Sequence, residues 1–318
     1  MKVLITGGEG FIGANLVRKL ETMAGIAEIV VIDDLSFGFR ENLDGTSATL
    51  LEGSILDDEL LRQATAGASS IVHLAARSSV PRSVAEPMAA HEVNATGTAL
   101  VLEAARRAGD VQVIVASSSS VYGSTDVLPK HEGLATRPIS PYAASKLATE
   151  SYALAWGHSY GLPVLALRLF NVFGPLQPPA HTYAAVIPAF LAAACSDRPL
   201  PVHGDGTQCR DFTFVGSVVD VLGQAITHRV SLPDPVNLAF GTRVTLLEVV
   251  AELEHILERR LPVDHMPTRV GDVRRSQADS RLLLELFPDL EPTELADGLR
   301  ATVEWFERAR PWEHPGSV

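Results

Sequence analysis

The sequence predicts an α/β fold, a doubly wound parallel sheet followed by a smaller mixed α/β part. Three observations predict it. Short runs that are apolar throughout (Lys2–Thr6, Glu28–Ile32, Ser69–Ala75, Val111–Ala116, Val164–Phe170) alternate with helical stretches. Such strands are buried on both faces, and their alternation with helices makes them parallel partners in one sheet. Next, Gly7-Gly8-Glu9-Gly10-Phe11-Ile12-Gly13 follows the first run and opens a helix. Glycines at 7, 10 and 13 let the backbone turn tightly and approach a pyrophosphate, which then sits on the helix N-terminus. Last, the second run ends in Asp33-Asp34, about twenty residues beyond the loop, where a carboxylate suits the ribose hydroxyls of a dinucleotide. Together these define a Rossmann-type sheet. The carboxylates would repel a 2′-phosphate and no Arg follows the pair, so the expected cofactor is NAD.

The elements follow in order. Lys2–Thr6 is the first strand, and the helix after the glycine loop covers Ala14–Thr22. Glu28–Ile32 is the second strand. Leu50–Ile55 reads as the third and leads into a helix around Asp57–Thr65. Ser69–Ala75 ends in Leu74-Ala75-Ala76, whose small residues let a cofactor lie close to the backbone. His73 within it reads as a core histidine. A helix over Met88–Arg107 carries Asn94, Thr96 and Gly97, and Val111–Ala116 is the fifth strand. A helix beginning at Tyr142 runs to about Tyr160, before the sixth strand, Val164–Phe170. Beyond it Pro175, Pro178, Pro179, Pro188, Pro199 and Pro201 break the rhythm. A boundary is therefore placed at 170: residues 1–170 bind the dinucleotide and 171–318 form the second part. Strands at Arg210–Val215 and Val236–Ala239 return the chain, over 210–241, to the first sheet. Leu246–Arg260 and Leu295–Ala309 are amphipathic helices, and the tail from Pro311 is expected to fray.

The chemistry sits in two stretches. Ser117-Ser118-Ser119-Ser120-Val121-Tyr122-Gly123 leaves the carboxyl end of the fifth strand, where open α/β sheets bind ligands. Tyr142-Ala143-Ala144-Ser145-Lys146 puts a phenol and an ammonium four residues apart, on one helix face. The ammonium is expected to favour the phenolate and make Tyr142 a general base.

Composition narrows the alternatives. With 46% hydrophobic and 20% charged residues the chain is an ordinary globular one. A net charge of −12 excludes nucleic-acid binding through a general basic field, so an anionic substrate must be met by a few local arginines and backbone N–H groups. Cys195 and Cys209 are too few for a disulfide framework and read as reduced thiols, as in a cytoplasmic protein. No ligand spacing among the histidines and cysteines calls for a metal. No apolar segment reaches membrane-spanning length.

These motifs resemble the extended short-chain dehydrogenase/reductase superfamily, and within it the NAD-dependent nucleotide-sugar epimerases. The resemblance covers nearly the whole chain. It rests on Thr6-Gly7-Gly8-Glu9-Gly10-Phe11-Ile12-Gly13, Asp33-Asp34-Leu35-Ser36, Ser118 before Val121-Tyr122-Gly123, and Tyr142-x-x-x-Lys146. It extends through Leu167-Arg168-Leu169-Phe170-Asn171-Val172-Phe173-Gly174-Pro175, Tyr183 to Pro188, Gly204-Asp205-Gly206, Arg210-Asp211-Phe212 and Arg269-x-Gly271-Asp272-Val273-x-x-Ser276. The later motifs are most similar to the UDP-N-acetylglucosamine 4-epimerase branch.

The resemblance implies roles. Ser118 would hydrogen-bond the reacting sugar hydroxyl, Tyr142 would be the base, and Lys146 would hold the nicotinamide ribose. Gly7, Gly10, Phe11, Ile12, Asp33, Asp34, Ser54, Ile55, Leu74, Ala75, Ala76, Asn94 and Phe170 would complete the NAD site with Tyr142 and Lys146. The substrate would meet Ser79, Ser118, Ser119, Tyr142, Val186, His203 and Ser276, with its nucleotide diphosphate held by Asn171, Arg210, Arg269 and Asp272. Arginine suits that task because its planar fork meets phosphate bidentately.

Departures from the family pattern also inform. Ser119 and Ser120 stand where sugar dehydratases carry an acid to protonate the departing hydroxyl. Ser54 replaces an Asp that faces adenine in many relatives. Glu9 replaces a small residue and is expected to point outward, because a carboxylate would repel the pyrophosphate. Pro178 stands where some uronic-acid epimerases have Arg. Ser276 leaves room for an N-acetyl group at C2.

The implied activity is C4 epimerisation of a UDP-hexose with tightly bound NAD. A UDP-glucuronate 4-epimerase, a nucleotide-sugar dehydratase or 4-ketoreductase, and a non-catalytic NAD-binding regulator are the alternatives. The resemblance also implies a homodimer, since relatives pair the helices that match Met88–Arg107 and Ala143–Tyr160 in a four-helix contact. Ala144, Leu147, Ala148, Ser151, Leu154 and Ala155 give the second a small apolar stripe.

Overall fold

The computed structural model describes residues 1–179, 185–268 and 275–313. The apolar runs become β1 (Lys2–Thr6), β2 (Glu28–Asp33), β3 (Thr49–Glu52), β4 (Ser70–His73), β5 (Gln112–Ser118) and β6 (Val164–Leu169), joined by β7 (Val236–Leu238). They form one sheet in the order β7-β6-β5-β4-β1-β2-β3, with every pairing parallel. The chain runs outward from β1 through β2 to β3, then restarts at β4 on the other side of β1. That reversal opens a crevice at the carboxyl ends of β1 and β4, where such sheets receive ligands.

Successive residues of a strand point to opposite faces, and both faces are apolar here. Val3, Ile5, Val31, Val72, Ile114 and Leu165 meet α1 (Phe11–Glu21) and the helix Val215–Thr227. Leu4, Val30, Ile32, Ile71, Val113 and Ala166 meet α2 (Asp58–Thr65), α3 (Gly97–Ala108) and α4 (Pro141–Tyr160). Helix α4 starts where Ser140 accepts the Ala143 N–H, with Pro141 supplying a preset φ, and it ends at Gly161 in the left-handed conformation (φ 67°).

The second part has its own core. Phe173, Phe190, Leu200, Phe212, Val249, Leu253, Leu299 and Phe306 bring together α5 (Val186–Cys195), α7 (Leu246–Ile256) and α8 (Leu295–Ala309) around short paired strands, whereas α6 (Val215–Thr227, the helix already met on the sheet) packs into the first core. Leu200–His203 pairs parallel with Val263–Met266.

Four expectations are corrected. The helix placed over Met88–Arg107 is interrupted: Pro87–His91 leads through a π turn, Glu92–Thr96, into α3. The strand placed over Arg210–Val215 is two fragments, Cys209–Arg210 and Thr213–Phe214, and Val215 already opens α6. Between the fragments Asp211 is fully buried. Its carboxylate accepts from Gly241 N, Thr242 N, Thr242 Oγ and Ala278 N, so it ties loops together instead of continuing a ladder. The helix from Leu246 stops at Ile256, short of Arg260. Pro311 is buried and Trp312 stacks on Phe306 at 6.1 Å between ring centroids, so the expected fraying does not begin at Pro311; residues 314–318 lie outside the described residues.

Candidate active site

The glycine loop lies at the crevice. Gly7 has φ 76°, and a Cβ on it would meet Ala75 N at 2.6 Å. A Cβ on Gly13 would meet Gly7 O at 2.2 Å. Only glycine permits this turn and this approach of β1 to β4. Leu74, Ala75 and Ala76 form the facing wall, with Leu74 N bonded to Thr6 O and Ala75 N to Thr6 Oγ. Phe11 and Ile12 begin α1, so free N–H groups face the crevice.

Asp33 ends β2 and is buried. Its carboxylate accepts from Glu9 N at 3.0 Å and Leu35 N at 2.9 Å. Burial pushes its pKa up, and these bonds pull it back. Asp34 is exposed and bonded to Ser36. Ser54 caps the turn after β3 by accepting Leu56 N, and Ile55 packs on Gly97 of α3.

Glu9 does not point outward. It is 1% exposed, both carboxylate oxygens lack a hydrogen-bond partner among the described residues, and its pKa is raised to about 7 by burial first and by Asp33 second. The loop after β2 folds over it: Phe39 N and Asn42 Nδ2 both bond to Glu9 O. A buried acid escapes much of the desolvation cost by holding its proton.

Ser118 is the last residue of β5, and its hydroxyl accepts the Ser120 N–H of the turn Ser119–Tyr122. Across from it stands Tyr142, in the first turn of α4. Burial raises the Tyr142 phenol above its ordinary value, and the Ser118 hydroxyl, facing it, pulls it back down. Lys146 is 5% exposed and has no hydrogen-bond or ion-pair partner among the described residues; burial lowers it to about 8. Its charge is not among the causes that move Tyr142, so the expected lowering of the phenol by Lys146 is not met by the protein's own groups.

A second set of polar residues fixes these groups. Asn94, in the π turn, accepts from Arg77 N and donates to Arg77 O and Ser145 Oγ. Its side chain is committed within the protein, holding the segment after β4 against α4. The Asn94 carbonyl, freed by the π turn, accepts from Thr98 and Thr149. His73 is the core histidine expected: buried between Thr6 Oγ (2.7 Å) and Thr98 Oγ (2.9 Å), it is held neutral, with its pKa lowered to about 3. Ser79 caps the helix Val80–Ala85, and Ser83 Oγ accepts the Tyr142 N–H at 2.9 Å.

Behind the serines, Ser117 donates to Glu150, whose carboxylate takes a bidentate pair from Arg168 on β6. Both charges are nearly fully buried. The guanidinium also lies 4.7 Å from the Tyr122 ring centroid. Phe170 is fully buried against Tyr122, so its side chain belongs to this packing and not to the crevice.

The other substrate candidates fall in the second part. Asn171, Val186, His203 and Arg210 line one cavity of ≈ 210 Å³, with Gln177, Pro188 and Phe212. Asn171 holds a positive φ (33°) and bonds Asp211 O. Ser276 N bonds Cys209 O, which sets Ser276 beside the Arg210 strand. None of Ser118, Tyr142 and Lys146 lines this cavity. Arg269 and Asp272 lie outside the described residues. Thr6, Ser83, Glu150 and Asp211 are site-building residues that the motif reading left without a role. Thr6, at the head of the glycine-loop motif, and Asp211, inside Arg-Asp-Phe, stood in quoted motifs; Ser83 and Glu150 did not.

The model of the NAD dependent epimerase/dehydratase family matches residues 3–239. Among curated relatives, the UDP-glucose 4-epimerase of Mycolicibacterium smegmatis is 34% identical over 312 residues, covering 96% of this chain and 98% of the relative. A dTDP-glucose 4,6-dehydratase of Streptomyces niveus is 32% identical over 327 residues, covering 99% and 95%. Among solved structures, the UDP-N-acetylglucosamine 4-epimerase of Methanobrevibacter ruminantium M1, in complex with UDP-N-acetylmuramic acid, superposes with TM-score 0.91 at 34% identity, covering 97% of this chain and 98% of that one. The chain belongs to the NAD dependent epimerase/dehydratase family. Its residues fit the cofactor in that family's name: the glycine cradle admits close approach, and the buried Lys146 ammonium has no partner among the described residues.

Proposed function

We propose that this enzyme inverts C4 of a UDP-hexose, with UDP-N-acetylglucosamine/UDP-N-acetylgalactosamine or UDP-glucose/UDP-galactose as substrates, through a transient 4-keto sugar. The observation that carries this reading is the pairing of Ser118 with Tyr142 at the end of β5, with hydroxyls and no carboxylate at 119 and 120. NAD, when bound, supplies a hydride acceptor for C4 and a positive charge that favours a nearby phenolate. Tyr142 takes the 4-hydroxyl proton, and the Ser118 hydroxyl orients that oxygen. Lys146, whose three N–H donors meet no acceptor among the described residues, holds the cofactor ribose. Arg210 and Arg269 hold the nucleotide while the keto sugar turns about its diphosphate. After that turn C4 would take the hydride back on its opposite face, and Tyr142 returns the proton to the C4 oxygen, so that sugar and cofactor end the cycle with no net oxidation. Remote binding of the nucleotide keeps a reactive intermediate in place while its reacting end stays free to turn.

Dehydration is the second reading, supported by dehydratases among the relatives. It lacks its acid here. Glu150, the carboxylate behind the serines, is spent on Arg168 and Ser117. A UDP-glucuronate substrate finds Pro178 where an arginine would meet its carboxylate. The homodimer belongs with the proposal. Ala144, Ser151 and Ala155 of the α4 stripe are exposed, and Val84 (65% exposed), Met88 (72%) and Tyr160 (58%) extend an apolar face beside it. Replacing Tyr142 by Phe tests the base role. Turnover is expected to fall by roughly 10²–10⁴-fold, with UDP affinity by calorimetry unchanged; turnover near the parent's removes Tyr142 from that role.

A further inference from the structure

The loop after β2 and the segment after β4 touch across the carboxyl end of β1. Because β1 lies between β2 and β4 in the sheet, any contact between those two connections passes over the glycine loop that leaves β1. The loop after β2 is bent inward at Leu35, a non-glycine residue with φ 55°, and the turn is tied by Asp33 and Asp34. It lies on the glycine loop itself: a Cβ on Gly38 would meet Glu9 Cβ at 2.7 Å. Phe37, one residue earlier, meets two arginines of the segment after β4. The Arg82 guanidinium is 4.4 Å from its ring centroid and that of Arg77 is 5.9 Å away. Arg77 also pairs with Glu86 at 2.9 Å, whereas Arg82 has no carboxylate partner among the described residues. The arginine segment is in turn fixed to the catalytic helix, through Asn94 to Ser145 and through Ser83 to Tyr142 N.

We propose that Phe37 and Arg82 form a clasp over the cofactor groove that holds NAD in place between turnovers. A redox-neutral cycle leaves NAD as it found it, so an enzyme of this kind gains from slow cofactor release. The clasp closes the groove from its two walls without touching the reacting atoms. It also predicts that the two residues act as one unit, since either alone leaves the contact open.

The test is the rate at which labelled NAD leaves the purified holoenzyme into excess unlabelled NAD, for the parent, Phe37→Ala, Arg82→Gln and the double variant. Each single change is expected to speed release by roughly ten-fold, the size of one cation–π contact, and the double variant no further. Phe37→Trp, which keeps a ring face for the cation, should retain slow release. Release rates equal to the parent's in both single variants, or effects that simply multiply in the double, would overturn the clasp. The readout needs no sugar substrate, so it stands apart from the C4 reading. A parent protein that carries no NAD would overturn both.

Discussion

Glu9 is the residue whose chemistry departs furthest from its neighbours'. Its carboxyl is buried beside Asp33 and titrates near 7, far above its unfolded value. A raised carboxyl means the folded state binds the extra proton, so the fold is favoured below the unfolded value and loses that advantage as pH climbs from about 4.5 to about 7. Glu9→Gln removes the titration. Thermal melts should show a gain of about 2 kcal/mol at pH 8 and little change at pH 4.5. An equal gain at both values would show that the carboxyl is not held protonated. Glu9 was visible in the sequence as an unusual residue in a glycine loop, but its direction was not. A charge argument sent it to water, whereas the loop from Phe39 to Asn42 binds its carbonyl and closes over it. Tyr142, Lys146 and Ser118 were legible because their types and spacing are themselves the chemistry. Ser83 was not, since a serine that accepts one backbone N–H in a distant helix has no local signature.

Among the elements, α4 carries the site along one face. Tyr142, Lys146 and Glu150 recur every four residues, and the last anchors the helix to β5 through Ser117 and to β6 through Arg168. Removing one partner of a buried ion pair leaves the other charge stranded, at about 3–5 kcal/mol. Glu150→Ala should therefore lower the urea midpoint strongly, while Glu150→Leu with Arg168→Met should recover most of the loss. A loss under about 1 kcal/mol for Glu150→Ala would show the pair to be solvated in solution. The strands of the sheet were legible because burial on both faces writes a continuous apolar run. The π turn at Glu92–Thr96 was not, because its cause is tertiary: Thr149 of α4 takes the carbonyl that a regular helix would have used. The fragments around Asp211 were missed for a related reason. A strand was placed over Arg210–Val215, but a carboxylate within it takes four donors from other loops and breaks it.

On the scale of the whole molecule, the sheet supplies a cofactor crevice and the second part supplies a separate cavity lined by Asn171, His203 and Arg210. The order of the strands was legible as a class, because apolar strands alternating with helices leave few arrangements. Helices α5 and α6 went unmarked: α5 is apolar nearly all round and carries Pro188 in its first turn, so it shows no periodicity to read. The exposed face around Met88 and Tyr160 predicts a dimer. Met88→Glu with Tyr160→Glu should halve the mass seen by light scattering, and a parent that is already monomeric at micromolar concentration would contradict it. The central claim is redox-neutral inversion at C4. It is tested most directly by proton NMR of the purified protein with UDP-N-acetylglucosamine, UDP-glucose and UDP-glucuronate in separate tubes and no cofactor added. The account predicts the galacto epimer in the first or second tube, at constant total sugar and without net NADH. No epimer in any tube even after NAD is supplied, or a product short of one water, would contradict it.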